Sequence, residues 1–162
     1  MKRLVLCLTT ILLLTACETS TNPLEGLLGG GGGALTAAQA TGNWSFTLSR
    51  TSTLACSPPA LASGVVISAH LDVLSDGTVA TTSSWLNPIS SVVEPLSGSL
   101  DLTNGGITSL LFATSGSAAM ELVPGTMTSS GTVTGTLTDP GAGLSPVFAS
   151  DGCQYSVSGV KT

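Results

Sequence analysis

From Gly42 onward, apolar and polar residues alternate with a period of two, and helical spacing is hard to find. Trp44, Phe46 and Leu48 alternate with Ser45, Thr47 and Ser49. Val65, Ile67, Ala69, Leu71 and Val73 alternate with a mostly polar set that includes Ser68, His70 and Asp72. Val79, Thr81, Ser83 and Trp85 form a weaker third set, and Leu100 and Leu102 mark a fourth. Ile107 to Thr114 is apolar on both faces through Leu110, Leu111 and Phe112. Further sets begin at Ala118, Met120 and Leu122, at Val133, Gly135 and Leu137, and at Cys153, Tyr155, Val157 and Gly159. Successive side chains on a strand point to opposite faces, so these sets read as half-buried strands.

The turn signals agree. Asp76-Gly77, Asn104-Gly105, Ser115-Gly116 and Ser130-Gly131 fall between the sets, where a hairpin needs positive φ. Pro124-Gly125 marks a bulge or bend inside the sixth strand. The prediction is an all-β domain, an antiparallel up-and-down β-barrel of about eight strands, which leaves no exposed edge. A two-sheet β-sandwich is the alternative.

Two cysteines favour the barrel. With an even strand count, the first and last strands pair antiparallel. The end of strand one then lies beside the start of strand eight. Cys56 follows the former and Cys153 opens the latter. An oxidising compartment makes such a pair a disulfide, worth roughly 4–5 kcal/mol in the chain-entropy account. Free thiols or metal ligands are the alternatives, but no second Cys or His lies near either residue in sequence. The long connections, 51–64, 86–96 and 139–151, gather at this rim. Long loops on a rigid scaffold are where binding usually sits.

Ahead of the domain, Lys2 and Arg3 precede an apolar run from Leu4 to Leu14, and Leu14-Thr15-Ala16-Cys17 follows. This is the layout of a secretory signal. The run is too short to span a bilayer, which takes roughly twenty residues. Leu14 to Cys17 resembles the lipobox of bacterial lipoproteins. That resemblance implies a cut before Cys17, a lipid on its thiol, and a membrane anchor. An ordinary signal peptide cut elsewhere, with Cys17 a plain thiol, is the alternative. Glu18 is not the aspartate that favours inner-membrane retention in the enterobacterial pattern, which leans toward the outer membrane. The expected organisation is residues 1–16 as signal peptide, 17–41 as lipidated cysteine and linker, and 42–162 as barrel. Gly29 to Gly33 makes the linker a flexible coil, with a reach of roughly 25–30 Å. Ala34 to Ala40 has room for one or two helical turns.

After the cut only Arg50 and Lys161 remain against nine carboxylates, a net charge of about −7. Two cations cannot track a phosphate backbone, so nucleic acid is an unsuitable partner. The same scarcity argues against electrostatic binding to anionic head groups.

Gly42-Asn43-Trp44 resembles the G-x-W signature of lipocalins and other calycin barrels, in which the tryptophan packs across the closed end. Trp44 is accordingly expected as a barrel-end plug. The later T-D-Y stretch and the arginine near the last strand have no counterpart here. Thr132 to Pro140 is similar to a motif of uncharacterised bacterial lipoproteins.

Catalytic chemistry finds little support. His70 and Asp72 share a strand face about 6.5–7 Å apart, too far for a direct orienting hydrogen bond, and their face points to solvent. No G-x-S-x-G elbow, calcium loop or phosphate loop is present. The acids read as turn and rim residues. No enzyme activity, metal or cofactor is expected. The first functional expectation is a lipid-anchored envelope protein whose barrel binds a small apolar ligand at the rim away from the membrane. Trp85, Leu144 and Phe148 are the candidate ligand contacts, and small inward residues (Ala69, Ser83, Gly98, Gly135) leave room. The second is a structural or protein-interaction role, an inhibitory one included. In that version the barrel is filled by its own side chains and the rim loops meet another envelope protein.

Overall fold

A computed structural model of the chain describes residues 33–52, 61–113, 119–139 and 153–162. The first alternating set becomes β1 (Gly42–Arg50), which buries Trp44, Phe46 and Leu48 and turns Asn43, Ser45 and Thr47 outward. It is followed by β2 (Val66–Leu71), β3 (Thr78–Val79), β4 (Ser84–Leu86) and β5 (Val93–Asp101). Then come β6 (Gly106–Phe112), β7 (Met120–Met127), β8 (Thr132–Asp139) and β9 (Cys153–Lys161). All pairings are antiparallel. The sheet closes because β5 pairs with β6 while β1 pairs with both β2 and β9. The result is an up-and-down barrel of eight strands, with β3 as an extra strand on β5.

The first and last strands close the barrel. β1 and β9 run in register from Trp44↔Lys161 to Arg50↔Tyr155. Beyond the strand end, the amides of Thr51 and Ser52 both donate to the Gln154 carbonyl, at 2.9 and 3.3 Å. Cys153 opens β9 at this rim and is buried. Cys56 lies outside the described residues.

Three features depart from the sequence reading. The third set is two short strands. Val79 faces Gly98 and Ser84 faces Pro95, so residues 80–83 stand opposite Leu96 and Ser97 alone. Two surplus residues must leave the ladder, and they do so as a turn with Ser83 N–H on the Ala80 carbonyl. The fourth strand begins at Val93 rather than near Leu100, which shortens the 86–96 connection to residues 87–92. The packed unit also begins before Gly42. Leu35 and Ala40 are buried in the same core, and α1 (Ala37–Ala40) is capped by a Thr36–Gln39 capping box. The bulge expected at Pro124-Gly125 is present. Leu122 faces Leu137 and Gly125 faces Gly135, leaving Val123 and Pro124 opposite Thr136.

Gly98 and Gly135 do not make room. A Cβ at Gly98 would lie 2.1 Å from the Ser109 carbonyl oxygen, and one at Gly135 would lie 2.7 Å from that of Pro124. They are glycines because neighbouring backbone comes close. Gly98 also has φ +143. Gly64, at φ +84, has open space around its Cβ position. Gly98→Ala should therefore cost about 2–4 kcal/mol, whereas Gly64→Ala should cost only the left-handed backbone penalty, about 1–2 kcal/mol. Urea unfolding of the two variants measures the difference.

Candidate functional site

The interior holds a file of aromatic rings. Trp44 stacks on Phe46 with centroids 6.3 Å apart. Phe46 meets Phe112 edge-on at 5.9 Å, and Phe112 meets Trp85 edge-on at 5.5 Å. All four side chains are buried within one continuous apolar core. Trp44 lies beneath α1 and donates from Nε1 to the Ala40 carbonyl at 2.8 Å. Lys161 Nζ in turn holds the α1 carbonyls of Gln39 (2.9 Å) and Ala38 (3.3 Å). Trp44 is thus tied to the α1 end of the barrel. At the opposite rim Leu61 is buried, and its carbonyl accepts the Tyr155 hydroxyl at 2.9 Å. Burial, and secondarily the Asp139 carboxylate, raises the Tyr155 pKa above its ordinary value, so the hydroxyl stays a donor.

Trp85 lies near the 87–92 rim but is buried beneath it rather than open at the mouth. It is inside, with Nε1 donating to the Ala113 carbonyl at 3.0 Å. Its ring is occupied by Phe112. Its proposed companions, Leu144 and Phe148, lie outside the described residues, as does Cys17. Ser83 is spoken for as well: its hydroxyl accepts from the Asp72 amide at 2.8 Å.

The outer wall is more open. A shallow groove of about 340 Å³ crosses β1, β2, β4 and β5, lined by Asn43, Ser45, Ser68, His70, Leu86 and Val93 among others. At its polar end His70 and Asp72 do meet, with Nε2 3.3 Å from Oδ1. Side-chain reach closes the Cα gap that spacing alone left open. Asn43 Oδ1 lies 2.8 Å from His70 Nδ1, and the Thr82 hydroxyl donates to Asp72 Oδ2 at 2.5 Å. Both ring nitrogens thus face side-chain oxygens. A hydrolytic triad would need one of those nitrogens turned to a nucleophilic hydroxyl, and Asn43 occupies the place. No three His, Cys, Asp or Glu side chains gather as a metal site among the described residues.

The apolar end of the groove runs into the 87–92 loop, which Asn87 builds. Asn87 Oδ1 accepts from the amides of Ile89 (2.9 Å) and Ser90 (3.3 Å), and Nδ2 donates to Glu94 Oε1 at 3.2 Å. Its backbone exchanges bonds with Val92 and Ser91. Ser91 takes φ +58, a left-handed backbone uncommon outside glycine. Glu94 is 5 % exposed and turned inward, not the surface acid that the sequence reading assumed. Counting back by twos from Leu100 through Leu96 would have put it on the inner face.

No family model, curated protein or solved structure matches this chain.

Asp72 titrates below its ordinary 3.8: the Thr82 hydroxyl holds it down, desolvation opposes this as the next largest effect, and the charge and hydrogen bond of His70 each lower it further. The sign follows. A depressed carboxyl contributes stability that is present above its unfolded pKa and lost as pH falls through the folded one. Carbon-detected NMR titration should place the Asp72 midpoint below 3.8, and Thr82→Val should move it upward.

Proposed function

We propose that this is a lipid-anchored bacterial envelope protein that acts without catalysis. Its self-filled barrel displays an outer wall to another macromolecule. The carrying observation is the ring file from Trp44 to Trp85, which occupies the space an apolar ligand would need. A rigid loop presenting apolar side chains outside a packed core supports binding on the wall.

The anchor is the lipidated Cys17, and the destination is the outer membrane. Gly33 stands beside the Gly105 turn, at the α1 end of the barrel. The tether therefore reaches that end, and the 87–92 rim faces away. A Cys56–Cys153 disulfide fastens the β1–β9 seam at that far rim. The hydrogen bonds of Thr51 and Ser52 to Gln154 bring the two chain segments together there.

Expressed in a bacterium with an alkyne fatty acid, the wild-type chain should take up label and Cys17→Ala should not. Native mass spectrometry of the detergent-extracted protein should give the acylated chain alone. A retained small apolar molecule would overturn the self-filled reading, and an unlabelled wild type would overturn the anchor.

A further inference from the structure

Five of the eight large apolar side chains exposed among the described residues fall on one part of the wall. They are Val66 (51 %), Leu86 (44 %), Ile89 (52 %), Val92 (51 %) and Val93 (66 %). Leu86 and Val93 are direct cross-strand partners on β4 and β5. Ile89 and Val92 stand on the loop joining them, and Val66 is at the same rim on β2. This exposure is built. Asn87 ties the loop down from beneath, and Ser91 accepts a left-handed backbone to complete the turn.

From this we infer that the β4–β5 patch is a self-association surface, and that its occupant is the same patch on a second copy of this chain anchored in the same membrane. The inference rests on the anchored, self-filled reading above. Three considerations select the second copy. The first is chemical: the five side chains carry no charge. Among the described acids only Asp76 is fully exposed, and it sits at the opposite, α1 end. Among the described residues, no fully exposed carboxylate lies beside these side chains for a basic partner to pair with, and a neutral aliphatic surface matches itself.

The second is geometric. The patch is on the side wall, so a two-fold axis parallel to the barrel axis can bring two patches together. That operation leaves both Gly33 ends pointing the same way, as one shared membrane requires. The third is size. A patch of this kind covers roughly 300–600 Å², short of the ~800 Å² per partner in a standard stable complex. Such a contact is weak between free molecules and gains from confinement on a surface, where tethering raises the effective concentration.

The test is oxidative crosslinking of the full chain in its own membrane. Val93→Cys, oxidised with copper–phenanthroline, should give a reducible species of twice the chain mass. Thr134→Cys, on the outward face of β8 across the barrel, should not. Adding Leu86→Asp and Ile89→Asp to Val93→Cys should lower the dimer at least tenfold. Val92→Cys repeats the measurement should Val93→Cys accumulate poorly. A dimer no stronger than that of Thr134→Cys overturns the proposal. So does a crosslinked species of another mass, which would put a different protein on the patch. Protection of the site without any crosslink would put lipid there and overturn it too. Fatty-acid labelling of Cys17 in the same cells separates the two readings. A labelled chain without the Val93 crosslink defeats the dimer alone, and an unlabelled chain that crosslinks defeats the anchor alone.

Discussion

The hydrogen-bonded seam between β1 and β9 is the constraint on which this structure depends. A meander left open would present two unpaired edges, each a template for another chain. Joining β1 to β9 through seven registered residue pairs removes both. It also fixes how many strands surround the interior. From that number follow the interior's width, the side chains able to fill it, and the faces left for solvent. The seam joins residues over a hundred positions apart in sequence. Nothing local to either strand makes it favourable. It forms because the alternation on both strands sends their apolar side chains to the same inner face.

Filling the cylinder is the next requirement, and this chain meets it with few large residues. Trp44, Phe46, Phe112 and Trp85 form a file from the α1 end toward the far rim. Leucines and methionines from β5 to β8 occupy the flanks. Where neighbouring backbone comes too close for any side chain, glycine appears, as at Gly98 and Gly135. The ends are closed by polar ties as much as by apolar bulk. Trp44 bonds to Ala40 at one end and Tyr155 to Leu61 at the other. Each tie gives a buried donor its acceptor, without which burial would cost about 1–3 kcal/mol.

What the sequence revealed and what it concealed divide along a physical line. The strands with clean alternation, β1, β2, β8 and β9, were legible because one face meets the core and the other meets water. The topology was legible because glycine turns punctuate a meander. The break at residues 80–83 was not, since surplus residues in a ladder change pairing without changing the pattern. β5 was misread at its start because Glu94, a carboxylate on the inner face, interrupts the apolar series. Asn87 explains it: one amide supports the carboxylate below and the loop above. The cluster of Asn43, His70 and Asp72 spans two strands that only the register brings together. Spacing along one strand could not find Asn43.

The placement of polar groups bears on where this molecule meets others. A barrel that carries a small ligand needs an inward set of small or polar residues at its mouth and a gap behind them. Here the inward residues near the 87–92 rim are Trp85 and Glu94. One is bonded to Ala113 and packed on Phe112, and the other is bonded to Asn87. Their polar atoms are used to hold the wall and its loop in shape. The outer wall carries the opposite signature. It has aliphatic side chains in water, a serine in a left-handed backbone, and a buried amide that bonds both the loop above and the Glu94 carboxylate below. Ile89, Val92 and Val93 stay exposed there. Keeping them exposed on an ordered loop is reasonable when a second surface covers them. If Cys17 carries the proposed lipid, the anchor would supply by proximity the affinity that so small a patch lacks.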